Sequence, residues 1–198
     1  MTTIIADEHL ILRLKAGDLG ALGELYDLYN ADLYRTTLGI TYNQSEAGKI
    51  LQECFLALNR KVHDLDKSLS IKTWLYREMA NLIYARAKHR IRWPISPDSN
   101  NSFAQNNSIR SKHFKLATVI ATLEIHQRIV VVLYYYNSLK IAEIAEILEC
   151  SQGTVKSRLH YGRESLRRQL VHTNIISPEL KGGHTFNIEE IFFHNKEI

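Results

Sequence analysis

The sequence predicts an all-α protein: two small helical domains joined by a flexible linker. Three observations carry that expectation. Gly and Pro are scarce, 9 and 3 of 198 residues, which disfavours a turn-rich β architecture. Apolar residues recur at helical spacing over long stretches. Between about residues 95 and 113 the composition changes to Ser, Asn, Asp and Gln, as in Ser96-Pro97-Asp98-Ser99-Asn100-Asn101-Ser102 and Gln105-Asn106-Asn107-Ser108. Such a stretch cannot build a core and reads as a linker. The expected layout is a domain over 1–93, a polar linker over 94–113, a second domain over 114–172 and a tail over 173–198.

The elements follow in order. Residues 7–38 read as helix on Leu10, Leu14, Leu22, Leu25, Leu28, Leu33 and Leu38, with a turn at Gly17-Asp18. Residues 45–62 form an amphipathic helix whose broad apolar face is Ile50, Leu51, Cys54, Phe55, Leu58 and Val62, with Ser45-Glu46 as its start. His63 to Ser70 reads as a polar loop. A long helix runs from Ile71 to about Ile91, with Trp74, Leu75, Met79, Leu82 and Ile83 on its apolar side, and Pro94 and Pro97 stop it. Ile129 to Tyr136 is β-branched and aromatic, a composition that suits a strand. We assign it to helix, because the segment after it needs a packing helix and not an isolated strand.

That next segment is the most informative of the chain. Lys140 to Leu148, then Glu149-Cys150-Ser151-Gln152, then Gly153 to Leu159 reads as two short helices joined by a tight turn. This is the pattern of a helix-turn-helix that lays its second helix in the DNA major groove. Ile144, Leu148 and Val155 would be core, and Ala145 is small enough for a close helix crossing. From Ser151 to Leu170 there are five cations, Lys156, Arg158, Arg163, Arg167 and Arg168, against one carboxylate, Glu164. A second basic site, Arg86, Lys88, Arg90 and Arg92, follows Trp74, Tyr76, Asn81 and Tyr84 on the long helix. Cations interleaved with aromatics suit a surface that holds a strand backbone and stacks unpaired bases, although an aromatic such as Trp74 is more often a core anchor.

Other function classes find little support. The nine histidines and two cysteines form no metal-ligand spacing. No phosphate-binding glycine loop, nucleophile motif or catalytic carboxylate pair is present, so neither an enzyme nor a cofactor is expected. Cys54 and Cys150 stand among apolar neighbours and read as buried, reduced thiols. No apolar run approaches a membrane span, so no membrane insertion and a cytoplasmic location are expected. The net charge of +4 favours a polyanionic partner only weakly.

In their order and spacing, these segments together resemble the small bacterial RNA polymerase sigma factors of the extracytoplasmic-function (ECF) group, which keep only sigma domains 2 and 4. Leu14-Lys15-Ala16-Gly17-Asp18 and Ala21 to Tyr26 are similar to the family's first helix. Gln52 to Leu58 is similar to its polymerase-binding helix, Thr73 to Arg77 with Asn81 to its promoter-melting helix, and Glu143 to Leu148 with Gly153 to Leu159 to its −35 reader. The resemblance implies a factor that binds core RNA polymerase and directs promoter recognition and melting. It implies polymerase contacts at Leu51, Gln52, Glu53 and Phe55. It implies −10 contacts at His63, Asp64, Lys67, Ser68, Trp74, Asn81, Arg86 and Arg90. It implies −35 contacts at Gln152, Thr154, Lys156, Ser157, Arg158, His160, Tyr161 and Arg163. The implied partners are core polymerase, promoter DNA and an anti-sigma factor. Base flipping is easiest at weakly stacked A·T steps, which suits melting without an ATP site.

The chain departs from the family at several positions. Gly48 and Lys49 stand where acidic residues are usual, Glu149 where the turn often has Gly, and Tyr161 where Arg is common. Two other readings compete. A stand-alone helix-turn-helix regulator accounts for 114–170 but not for the Gln52 and Trp74 helices. A sigma-like partner-binding protein is kept open by Gly48 and Lys49. The tail has an apolar patch, Ile188, Ile191, Phe192 and Phe193, which reads equally as a short docking helix or as a loose end.

Overall fold

The computed structural model describes residues 2–65, 69–89 and 118–172. The linker, the tail and its apolar patch lie outside them. The described residues are helical and contain no strand. The chain divides into two compact units, with the main boundary at 92/93.

The first unit is built from α1 (Thr2–Lys15), α2 (Leu19–Thr41), α3 (Gln44–Lys61) and α4 (Ile71–His89). Gly17 reverses the chain after α1 at φ 89°, a conformation that favours glycine. Asp18 then caps α2 by accepting the Gly20 N–H at 2.9 Å. Arg13 holds that cap in place, reaching Asp18 at 2.7 Å and Glu24 at 2.8 Å, and its hydrogen bond keeps the Asp18 carboxyl below the ordinary carboxylate range. Leu10, Leu14, Leu25, Leu33, Ile50, Leu58, Leu75, Met79 and Ile83 are buried together as the core. Leu28 lies at the edge of the α2 apolar stripe and is 56% exposed, so it is not core. Thr36 and Thr37 are buried, with their hydroxyls on the carbonyls of Asp32 and Leu33. Helix α3 starts earlier than the sequence suggested. Tyr42 turns the chain at φ 52°, and Asn43 rather than Ser45 caps the helix, accepting the Glu46 N–H at 2.9 Å.

The second unit holds α5 (Ile125–Val131), all but the last two residues of α6 (Ile141–Ile147) and α7 (Gln152–His172). Glu124 caps α5 by accepting the His126 N–H at 3.0 Å. The strand-like run Ile129 to Tyr136 is helical. After α5 it widens into a π-type turn over Val132–Tyr136, closed by the Asn137 N–H on the Val132 carbonyl at 3.2 Å. Ile129 to Leu133 are all buried, and a helix that is apolar all round is a buried one. Burial, not period, explains the composition that mimicked a strand. Arg128 is also buried and donates to the carbonyls of Ala121 and Leu123. It thereby satisfies backbone acceptors that would otherwise be stranded.

Helix α7 packs on α5 at Gly162. A Cβ there would lie 2.8 Å from the Val131 Cγ2 methyl, which is itself fully buried. The Ala gain in helix propensity is about 1 kcal/mol, and overpacking a tight core costs about 1–3 kcal/mol. The clash wins because Val131 has nowhere to go. Gly162→Ala is expected to lower stability by about 1 kcal/mol, seen as a lower Tm of the full chain.

Candidate nucleic-acid interface

Helix α6 starts at a cap in which Glu143 accepts the Lys140 N–H at 2.7 Å. It ends where Glu149 takes φ 49° and Cys150 N–H returns to the Ala145 carbonyl at 3.1 Å. That left-handed position explains why glycine suits the turn. Ser151 then caps α7, its hydroxyl accepting the Thr154 N–H at 3.0 Å. Ile144 and Val155 are fully buried across the turn, with Ala145 nearly so, while Leu148 is half-buried at the rim.

This turn orients α7. Val155, Leu159, Gly162, Leu166 and Leu170 form its buried stripe. Gln152, Gly153, Lys156, Ser157, His160 and Tyr161 are exposed, at the i, i+3, i+4 and i+7 spacing of one helix face. Six of the eight residues expected at the −35 element therefore belong to the surface or its edge, counting half-buried Arg158. Thr154 is spent in the cap, with its hydroxyl 2.9 Å from that of Ser151. Arg163 points the other way. Its guanidinium lies over the rings of Tyr134 and Tyr135 at 5.5 and 5.4 Å and donates to the Tyr135 hydroxyl. The family resemblance implied a −35 contact at Arg163, and the two tyrosines of the π-turn draw it inward.

The cation count falls in the same way. Arg167 pairs with Glu164 at 3.1 Å, which holds the Glu164 carboxyl below its ordinary range. With Arg163 inward and Arg167 paired, the other cations of this stretch are Lys156, Arg158, which reaches Cys150 Sγ at 4.0 Å, and Arg168, which donates to the Glu164 carbonyl at 3.3 Å. Three phosphate contacts would give a salt slope of about −2.7, from roughly −0.9 per phosphate.

In the first unit the expected contacts are dispersed. His63 and Asp64 are exposed on the 3-10 turn Val62–Asp64, and Asn81 is exposed on α4. Trp74 is half-buried, with Lys61 Nζ 5.9 Å from its ring. Tyr76 is 2% exposed and is core, not a base platform. Arg86 is taken up by ion pairs, 2.6 Å to Glu53 and 3.5 Å to Glu46, so it is not a free cation for the −10 strand. Lys67, Ser68 and Arg90 lie outside the described residues.

Leu51 and Phe55 are buried at 7% and 5%, while Gln52 beside them is exposed. All three line an open, largely apolar pocket between α2 and α3, with Tyr26, Gly48 and Leu56 among its other walls. Tyr26 packs edge-on against Phe55, with ring centroids 5.0 Å apart. Leu56 and Tyr26 are 48% and 42% exposed. The sequence reading missed both, though Leu56 had a signal: it stands off the apolar stripe of its own helix.

Nothing in the described residues suggests redox or metal chemistry. Burial pushes the Cys54 thiol up to about 12, with Glu78 and Glu53 adding to the shift, so it stays protonated and inert. Cys150 is half-buried rather than buried. No group of three His, Cys, Asp or Glu among the described residues is placed to hold a metal. No helix among them is long and apolar enough to cross a membrane.

Comparison with known proteins decides what these surfaces belong to. Residues 25–92 match the family described as Sigma-70 region 2, and residues 113–166 match Sigma-70, region 4. The ECF RNA polymerase sigma factor SigW of Bacillus subtilis (strain 168) is 31% identical over 183 residues, covering 81% of this chain and 94% of SigW. The chain belongs to the ECF RNA polymerase sigma factors. It is a non-enzymatic factor that directs transcription initiation. The region 2 match of this sigma factor begins within α2 and takes in α3 and α4. The region 4 match covers α5, α6 and most of α7. SigM of the same Bacillus strain is 30% identical over 154 residues, covering 74% of this chain and 93% of SigM. Among solved structures, CnrH in complex with the cytosolic domain of CnrY shares the fold, with a TM-score of 0.64 at 21% identity, covering 83% of this chain and 97% of that one.

Proposed function

We propose that this sigma factor reads a −35 element through the exposed N-terminal face of α7 and docks on core polymerase through the α2/α3 pocket. The observation that carries this reading is the face itself: Gln152, Lys156, Ser157, His160 and Tyr161 stand exposed on one side of a helix whose other side is buried. Lys156, Arg158 and Arg168 supply phosphate contacts, which position the helix. Gln152, Ser157, His160 and Tyr161 meet base edges, which specify sequence. At the downstream element, His63, Asp64, Trp74 and Asn81 meet the melted strand. Lys67, Ser68 and Arg90 belong to the same reading by family resemblance. Gln52, Leu56 and the floor formed by Leu51 and Phe55 take an apolar side chain of the polymerase. The factor works in the cytoplasm, and an anti-sigma protein competes for its surfaces. The sigma factor RpoE of Bartonella quintana, similar in fold with a TM-score of 0.59 at 16% identity, was solved with the anti-sigma factor NepR.

Salt dependence tests the −35 surface. Lys156→Ala should weaken promoter binding of the holoenzyme uniformly across sequences and flatten log K against log salt by about 0.9. Ser157→Ala should instead alter preference at a single −35 position. An unchanged slope in the first variant, with unchanged preference in the second, removes α7 as the reader.

A further inference from the structure

Glu46 has no place in any of these surfaces. It sits in the first turn of α3 and is 7% exposed, and a carboxylate so placed needs cations around it. Arg86 Nη1 lies 3.5 Å from Glu46 Oε2, and Lys49 Nζ lies 3.6 Å from its other oxygen. The second nitrogen of the same guanidinium, Nη2, lies 2.6 Å from Glu53 Oε1. One side chain from near the end of α4 thus grips α3 at two points, seven residues and about two turns apart. A planar guanidinium with several donors suits such a two-point grip, whereas an ammonium is a single point charge. At about 100° per residue, positions 46, 49 and 53 fall on one flank of α3, and positions 48, 51, 52 and 55 fall on the other. The second flank is the pocket wall.

We propose that Arg86 is a positioning residue: it clasps α4 to α3, so setting the roll at which α3 presents Gln52 and Leu56 to the polymerase, and it does not contact promoter DNA. The proposal rests on reading the α2/α3 pocket as the polymerase-docking surface. Turning Arg86 toward a phosphate would take its charge away from the nearly buried Glu46. The same geometry gives Lys49 a role: its ammonium lies beside its own helix's carboxylate. Glu53 likewise belongs to the clasp and is held on the side of α3 away from the pocket.

Arg86→Gln, Arg86→Lys and Glu46→Gln in the full chain test this. Core-polymerase affinity is measured by titration, promoter affinity against salt at saturating polymerase, and helicity by circular dichroism at the assay temperature. Arg86→Gln and Glu46→Gln should each weaken core binding about tenfold and leave the promoter salt slope unchanged, and Arg86→Lys should recover part of the loss. Glu46→Gln is the sharper variant, because its carboxylate is too buried to meet either partner and it keeps the shape of the site. A promoter slope flattened by about 0.7–0.9 in Arg86→Gln, with core affinity intact, would make Arg86 a DNA contact and overturn the proposal. Unchanged core affinity in Arg86→Gln and Glu46→Gln also overturns it. If these variants weaken core binding while Leu56→Asp does not, the clasp stands and the pocket reading fails.

Discussion

Ile144→Ala should abolish −35 recognition by the sigma factor while leaving its binding to core polymerase intact. Ile144 in α6 is fully buried, as is Val155 in α7. Truncating a buried Ile to Ala costs about 2–5 kcal/mol, the transfer term plus the cavity left behind. A unit of this size has stability of the same order, about 5 kcal/mol, so the variant should be largely unfolded there at working temperature. Ile144→Val removes one methylene and should cost only about 0.5–1.5 kcal/mol, retaining promoter binding. Footprinting across the upstream element, alongside a core-binding titration, reads both. An upstream footprint that survives Ile144→Ala would mean that the turn does not hold α7 in place.

Leu56→Asp should weaken core binding about 30-fold or more, with almost no change in stability. The side chain is 48% exposed, and surface substitutions away from caps and cores usually stay within about 0.5 kcal/mol. An apolar anchor at the mouth of a pocket, next to buried Phe55 and Leu51, behaves as an interface hot spot worth about 2 kcal/mol or more. Leu12→Asp is the control, since Leu12 is 66% exposed on α1 and does not line the pocket. Equal core affinity in both variants would move the docking surface off this pocket.

Much of the fold is written in periodicity. The helix ends at Gly17-Asp18 and at Ile71, the apolar face of α3, and the two helices joined by the turn at Glu149 follow from spacing and turn residues. The exposed set Gln152, Lys156, Ser157, His160 and Tyr161 came from the family resemblance, and the structure agrees with their exposure because a helix with one buried stripe leaves the opposite face in water. The start of α3 was misplaced by two residues, since Asn43 and Ser45 are both good caps and only the left-handed Tyr42 decides between them. The π-turn at Val132–Tyr136 left no periodic trace, because Val132, Leu133 and Tyr135 are buried, Tyr134 and Tyr136 are half-buried, and no exposed polar face marks a period.

Charged residues were the least legible. From the sequence, Arg86 and Arg163 looked like any other cation of a basic stretch. In the fold one is held by Glu46 and Glu53 from the neighbouring helix, and the other by the rings of Tyr134 and Tyr135. Long side chains choose among all partners within reach, and those partners come from residues 28 to 40 positions away. Leu56 and Tyr26 became a candidate docking site only when α2 met α3. The amino-acid order by itself therefore determined the helices, the helix-turn-helix and the family to which the chain belongs, because these rest on local spacing. Tertiary structure alone decided which cations are drawn into the protein and where an apolar pocket opens, because both depend on which helix faces meet.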